Sequence, residues 1–280
     1  SFCFESMVRM INKIYIFAKK FIFLYSGKRI PQAAAAMSYF FTMTVFPVII
    51  CLYTLLGNNF ELAMRVLDFL GRFVADETAS FLQGFIEYVA DNYSIAMMVA
   101  GLTVILTSSS AALRTVQNVI GDMQGGRHYQ GVRNYFNSII FSFVFVAALY
   151  FGIMVMVTGS ELLDFIDNKL PFIDISRSWV WLRFVLFFGI ELVIIWGVYY
   201  ISKRSYDKYR TFPGALLAAV ALVAISLFFS VFISASVKYQ LVYGSLASII
   251  LLMFWLYTCS VAILCGAAFN IVLHDMKTSG

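Results

Sequence analysis

Few side chains in this sequence could do chemistry, and they stand out because they interrupt long apolar runs. Glu191 lies about twelve residues into the uncharged-flanked run 179–201, about 18 Å along a helix rising 1.5 Å per residue. An ionisable group at that depth is expensive in lipid. Glu191 therefore reads either as a proton- or ion-linked site facing a polar cavity, or as a structural carboxyl, protonated or hydrogen-bonded to a neighbouring helix. Arg183 lies one turn inside the edge of the same run, where it can pair with an outer acid or snorkel to headgroups. Ser108, Ser109 and Ser110 follow Thr107 and precede Arg114. Those hydroxyls and that guanidinium suit an inner vestibule, and Arg114 alone suits a headgroup anchor. Pro47, inside another apolar run, removes a backbone donor and predicts a kinked or locally opened helix. Lys238 is most simply an interfacial anchor.

Signals for enzymes are poor. The two histidines, His128 and His274, stand far apart, and no HExxH, GxSxG or phosphate-binding loop occurs. Metal-assisted phosphodiester hydrolysis would need clustered carboxylates or histidines. No cofactor or metal is expected. Cys3, Cys51, Cys259 and Cys265 form no CxxC pair and read as small apolar residues.

The elements that must position these residues are membrane helices. Of the 280 residues, 61% are apolar and 12% charged, against roughly 25% charged in an ordinary soluble domain. A span needs about 20 apolar residues, and lipid forces each span to satisfy its backbone internally. No ten-residue alternation suggests a β-barrel. The reading is all-α and polytopic, one membrane domain with six transmembrane helices at 31–56, 94–113, 136–158, 179–201, 213–237 and 244–273. Residues 7–26 read as a basic amphipathic helix on the cytoplasmic interface. Charges break its apolar stretch, so it does not read as a signal peptide. Residues 60–92 read as a pair of amphipathic helices on the outer side, with Asp76 and Thr78 as capping candidates. A glycine-containing loop with Gly121, Gly125, Gly126 and Gly131 is expected after the second span. Ala33 to Ala36, Gly244 with Ser248, and Gly266 with Ala267 suit close helix approach, and Asn270 suits an interhelical hydrogen bond.

Charge gives the orientation. The N-terminus, the second and fourth loops and the C-terminus carry 14 Lys and Arg; the first, third and fifth loops carry 5 of them and ten of the fifteen acids. Both termini are therefore expected in the cytoplasm. The net charge of +5 is spread along a rim rather than gathered on one face, which argues against nucleic acid.

Several segments together resemble the YihY/BrkB family. They are Ala33-Ala34-Ala35-Ala36-Met37-Ser38-Tyr39-Phe40 with Phe46-Pro47, Ser110-Ala111-Ala112-Leu113-Arg114, Phe212-Pro213-Gly214-Ala215, and Tyr243-Gly244-Ser245-Leu246-Ala247 with Trp255-Leu256-Tyr257, Gly266-Ala267 and Asn270. The resemblance covers nearly the whole chain in order. It implies a bacterial inner-membrane protein of six helices, carries an old ribonuclease BN label that these residues do not support, and supplies no catalytic residues. A related branch has been proposed to move lipids.

Three functions follow as expectations. The first is a transporter or flippase for a lipid or other amphiphile, using Pro47, Ser108 to Ser110, Arg114 and Glu191. The second is a non-transporting scaffold whose outer helices dock a protein partner or a second copy. The third is an ion- or proton-coupled carrier resting on Glu191. Membrane lipids are the expected surroundings, and a lipid-like molecule the expected substrate.

Overall fold

The fold is described from a computed structural model, which describes residues 2–55, 64, 76–92, 94–125, 136–148, 150–152, 175–202, 210–235 and 245–278. Among them every regular element is an α-helix. We number these α1 (Phe2–Gly27), α2 (Ile30–Leu55), α3 (Asp76–Asp91), α4 (Ile95–Met123), α5 (Phe136–Gly152), α6 (Ile175–Ser202), α7 (Phe212–Ala235) and α8 (Ser245–Thr278). Five of them, α2, α4, α6, α7 and α8, are long and apolar enough to cross a membrane, and α5 is a shorter apolar helix where the third span is expected. The chain is a polytopic α-helical membrane protein.

Helix ends follow local chemistry. Ser94 caps α4 from extended backbone, its Oγ accepting from the Met97 N–H at 3.2 Å. Pro213 sits in the first turn of α7, where its missing N–H leaves nothing unpaired. α1 turns into α2 through Lys28 and Arg29, with Arg29 at φ 51. α2 runs as one helix through Pro47.

Two sequence expectations need correction. The second-span helix does not end at Leu113 but continues to Met123, and Gly121 lies inside it, not in a loop. Val116, Val119, Ile120 and Met123 keep a helical apolar stripe and are buried, so tertiary packing carries the helix on beyond the apolar run. It stops where Gly125 takes φ +69, a conformation glycine adopts without strain. The N-terminal helix is also longer than 7–26, starting at Phe2. Of the expected outer pair, α3 is described, while nearly all of 60–75 lies outside the described residues.

Helices α2, α4 and α8 share the core, with Ala34, Met37, Val116, Ile120, Leu264 and Val272 buried together. α7 adds Ala215, Ala218 and Ala219, and α6 adds Ile195 and Tyr199. α5 lies along α6 in the opposite sense: a Cβ on Gly152 would stand 3.0 Å from Phe187, and one on Gly197 would stand 2.9 Å from Phe141. α1 rests on α8, its Phe17 ring 5.5 Å edge-on from Phe269. Burial raises the Tyr25 phenol above its ordinary pKa, and Tyr257 and Cys265 of α8 add to the effect. At the other end of the bundle, α3 packs on α2 and α8 through Ile86 and Val89.

Candidate functional site

Most polar side chains inside the bundle are satisfied by their own helix. Thr42 donates to the Ser38 carbonyl at 2.8 Å, Thr44 to Phe40 at 2.7 Å, Ser142 to Ser138 at 2.8 Å and Ser260 to Leu256 at 2.7 Å. This is how hydroxyls enter apolar helices without stranding a donor. They pack as small residues and offer nothing outward.

The α7–α8 crossing is the most fully determined polar cluster. Asn270 Oδ1 accepts from the Gly214 N–H at 2.7 Å, and its Nδ2 donates to the Thr211 carbonyl at 2.8 Å. The first N–H groups of a helix have no partner in their own helix, and here a side chain from α8 supplies one. The backbones touch beneath it: a Cβ on Gly214 would stand 2.1 Å from the Gly266 carbonyl oxygen. The Tyr199 hydroxyl of α6 donates to the Ile263 carbonyl and joins α6 to the same knot. Asn270 thus forms the interhelical bonds expected of it. The role of Tyr199 was missed, although a tyrosine buried in an apolar run must find a partner for its hydroxyl.

The expected pathway residues divide into three places. On α4, Arg114 is half-buried within the helix rather than at its end, and its Nη1 donates to Ser110 Oγ at 3.1 Å. Ser109 is buried, and its Oγ has no hydrogen-bond partner among the described residues. Ser108 is half-buried. Pro47 belongs to a different contact: its carbonyl oxygen stands 3.6 Å from where a Cβ on Gly101 would lie, so α2 and α4 meet closely there. Gly101 and Ser108 are about 10 Å apart along α4 at 1.5 Å per residue.

Glu191 forms the third place. It shares the inward stripe of α6 with Ile195, Val198 and Ser202, and is close enough to the Cys259 thiol of α8 to act on it electrostatically. No hydrogen-bond donor or cation among the described residues acts on its carboxyl. No described hydrogen bond joins it to Arg114 or the serines. α4 and α6 do pack directly on each other. Arg183 lies within α6, and Lys238 falls outside the described residues.

A further polar contact was not legible beforehand. Ser138 Oγ of α5 donates to Gln117 Oε1 of α4 at 3.2 Å, tying the two helices. Among the described residues no three His, Cys, Asp or Glu side chains are grouped to hold a metal ion.

Comparison with known proteins follows the same outline. The family model described as virulence factor BrkB matches residues 23–280. The putative ribonuclease-like protein YfkH of Bacillus subtilis is 24% identical over 269 residues, covering 93% of this chain and 96% of its own length. A UPF0761 membrane protein of Histophilus somni is 20% identical over 282 residues, covering 97% of this chain and 95% of its own. UPF0761 membrane protein Smlt0865 of Stenotrophomonas maltophilia is 34% identical over 82 residues, 29% of this chain and 19% of its own. No solved structure matches the chain.

Proposed function

This chain belongs to the virulence factor BrkB family of membrane proteins, and within it we propose a non-enzymatic transporter or flippase for a lipid or other amphiphile. The observation carrying this reading is two polar groups on neighbouring helices that make no hydrogen bond among the described residues, the buried Ser109 hydroxyl and the half-buried Glu191 carboxyl. Where Thr42, Thr44, Ser142 and Ser260 each bond within their own helix, such groups are costly unless a passing molecule or a proton engages them. They sit on α4 and α6, which touch. Pro47, inside the continuous α2 and in contact with Gly101 of α4, lacks the N–H that would bond one turn back, so it leaves a weak point in that helix. Of the Lys and Arg, 14 gather on one side of the expected topology, so we place the chain in the bacterial inner membrane with both termini cytoplasmic.

The test uses the purified chain in vesicles whose lipids carry a quenchable headgroup label. Labelled lipid should exchange leaflets faster than in empty vesicles, and Glu191→Gln should slow it by at least about tenfold, the equivalent of about 1.4 kcal/mol. Exchange no faster than in empty vesicles sinks the reading. If exchange occurs and Glu191→Gln removes only its pH dependence, the proton-coupled carrier is the better description.

A scaffold role has one observation in its favour. α3 buries only Ile86 and Val89 of its assessed residues below a tenth exposure, while Gln83, Glu87, Tyr88 and Asp91 face outward. A partner or second copy docking there would be lost on replacing those four side chains, with lipid movement unaffected.

A further inference from the structure

Helix α1 has more apolar surface than its contact with the bundle covers. Phe17, Phe21, Leu24 and Tyr25 face α8 and the core. Ile11, Ile14, Tyr15 and Ile22 stay between 57% and 64% exposed. At about 100° per residue, Ile11, Ala18 and Ile22 form a second stripe, about a right angle around the helix from Phe17 and Phe21. Lys13 stands nine residues from Ile22, and Lys20 nine from Ile11. Nine residues are about two and a half turns, so both lysines lie opposite that stripe. Lys19 lies on the flank away from α8, with exposed Ile16 and Phe23 beside it.

Two contacts fix the height of α1. Phe17 packs on Phe269, twenty residues along α8 from Ile249, where its apolar span begins. Twenty residues rise about 30 Å, one hydrocarbon thickness, so the contact stands at the edge of the hydrocarbon. The C-terminal end of α1 meets the spanning helix α2 after only Lys28 and Arg29. α1 itself is not among the described helices long and apolar enough to cross. A helix leaning sideways on the bundle at that height has acyl chains on one flank and water on the other. Its stripe and its lysines divide along that line.

Charge selects the lipid. From Ile11 to Arg29 there are five cations, Lys13, Lys19, Lys20, Lys28 and Arg29, and no acid. No described ion pair engages Lys13, Lys19 or Lys20. Such a surface fits anionic headgroups, with the lysine stems lying along the apolar boundary. We propose that α1 binds the surface of an anionic leaflet, with Ile11, Ala18 and Ile22 entering the acyl boundary and Lys13, Lys19 and Lys20 holding headgroups. Such binding requires no movement of lipid and stands apart from the transport reading.

The full-length protein, carrying a photoreactive benzophenone residue in place of Tyr15 or of Ile22, is placed in nanodiscs of equal parts phosphatidylglycerol and phosphatidylcholine. After irradiation, adducts are identified by mass spectrometry. Lipid should be captured, with phosphatidylglycerol favoured about tenfold. The same residue at Lys13, half a turn away, should capture about threefold less lipid. Lys13→Gln, Lys19→Gln and Lys20→Gln together should bring capture of the two lipids to within about twofold of each other. Lys19→Gln alone should lower the preference about twofold, and it carries the test if the triple variant does not fold. Adducts between two chains, or no adduct at either position, overturn the proposal, because the stripe then faces a second copy or water. Equal capture of the two lipids with all lysines in place, or an unchanged preference in the lysine variants, overturns the anionic leaflet as the partner.

Discussion

At the α7–α8 crossing two glycines let backbones touch, an asparagine satisfies a helix start, and a tyrosine ties in a third helix. On α4 and α6, helices of similar apolar composition carry a buried hydroxyl and a mid-depth carboxyl that the described residues leave without a hydrogen bond. The first region is closed, and a ligand would have to break bonds to enter it. The second holds unspent hydrogen-bonding capacity. Phe212-Pro213-Gly214-Ala215, Gly266-Ala267 and Asn270, among the segments that make the family recognisable, belong to the closed region. Ser110-Ala111-Ala112-Leu113-Arg114, of the same set, lies on α4 beside Ser109, so the resemblance spans both regions.

The contrast breaks most readily at Gly214. Gly214→Ala should be the most damaging substitution, at or above the upper end of the about 1–3 kcal/mol that overpacking costs, because its clash is with backbone that cannot rotate away. An unchanged melting temperature in detergent would mean the crossing is not rigid. Asn270→Leu should follow, losing about 1–3 kcal/mol by stranding the Gly214 N–H and the Thr211 carbonyl. Glu191→Gln should leave melting unchanged or raise it while lipid movement falls, since the amide keeps the shape and removes a costly charge. If its melting temperature drops sharply instead, Glu191 is structural and the two regions are alike. The smallest effect belongs to Ser109→Ala, within about 0.5 kcal/mol of wild type or slightly stabilising, because no hydrogen bond is lost. A loss above 1 kcal/mol, by the same thermal measurement, would reveal a partner for that hydroxyl.

The long helices were legible because lipid makes apolar length and backbone pairing the same problem. Starts marked by Ser94 and Pro213 were legible for local reasons. The end of α4 was not: Arg114, Gly121 and Asp122 look like loop residues, and only burial of Val116, Val119 and Ile120 against other helices keeps them helical. The same divide runs through the candidate site. Glu191 and the serines announce themselves by residue type. Pairing of Ser138 with Gln117, or of Tyr199 with Ile263, depends on which helices become neighbours, and residues 21 and 64 apart carry no mark of it.

The contact of α1 with α8 bears on how the protein is made. Synthesis delivers Phe17 long before Phe269, yet their rings pack together. Until α8 emerges, α1 lacks the surface it rests on, and α7 lacks the asparagine that completes its first turn. Insertion of α8 is thus the step that brings α1 and the start of α7 their partners. A ribosome that stops before Asn270 releases a membrane-inserted but unlatched protein, with apolar faces ready for quality-control proteases to recognise.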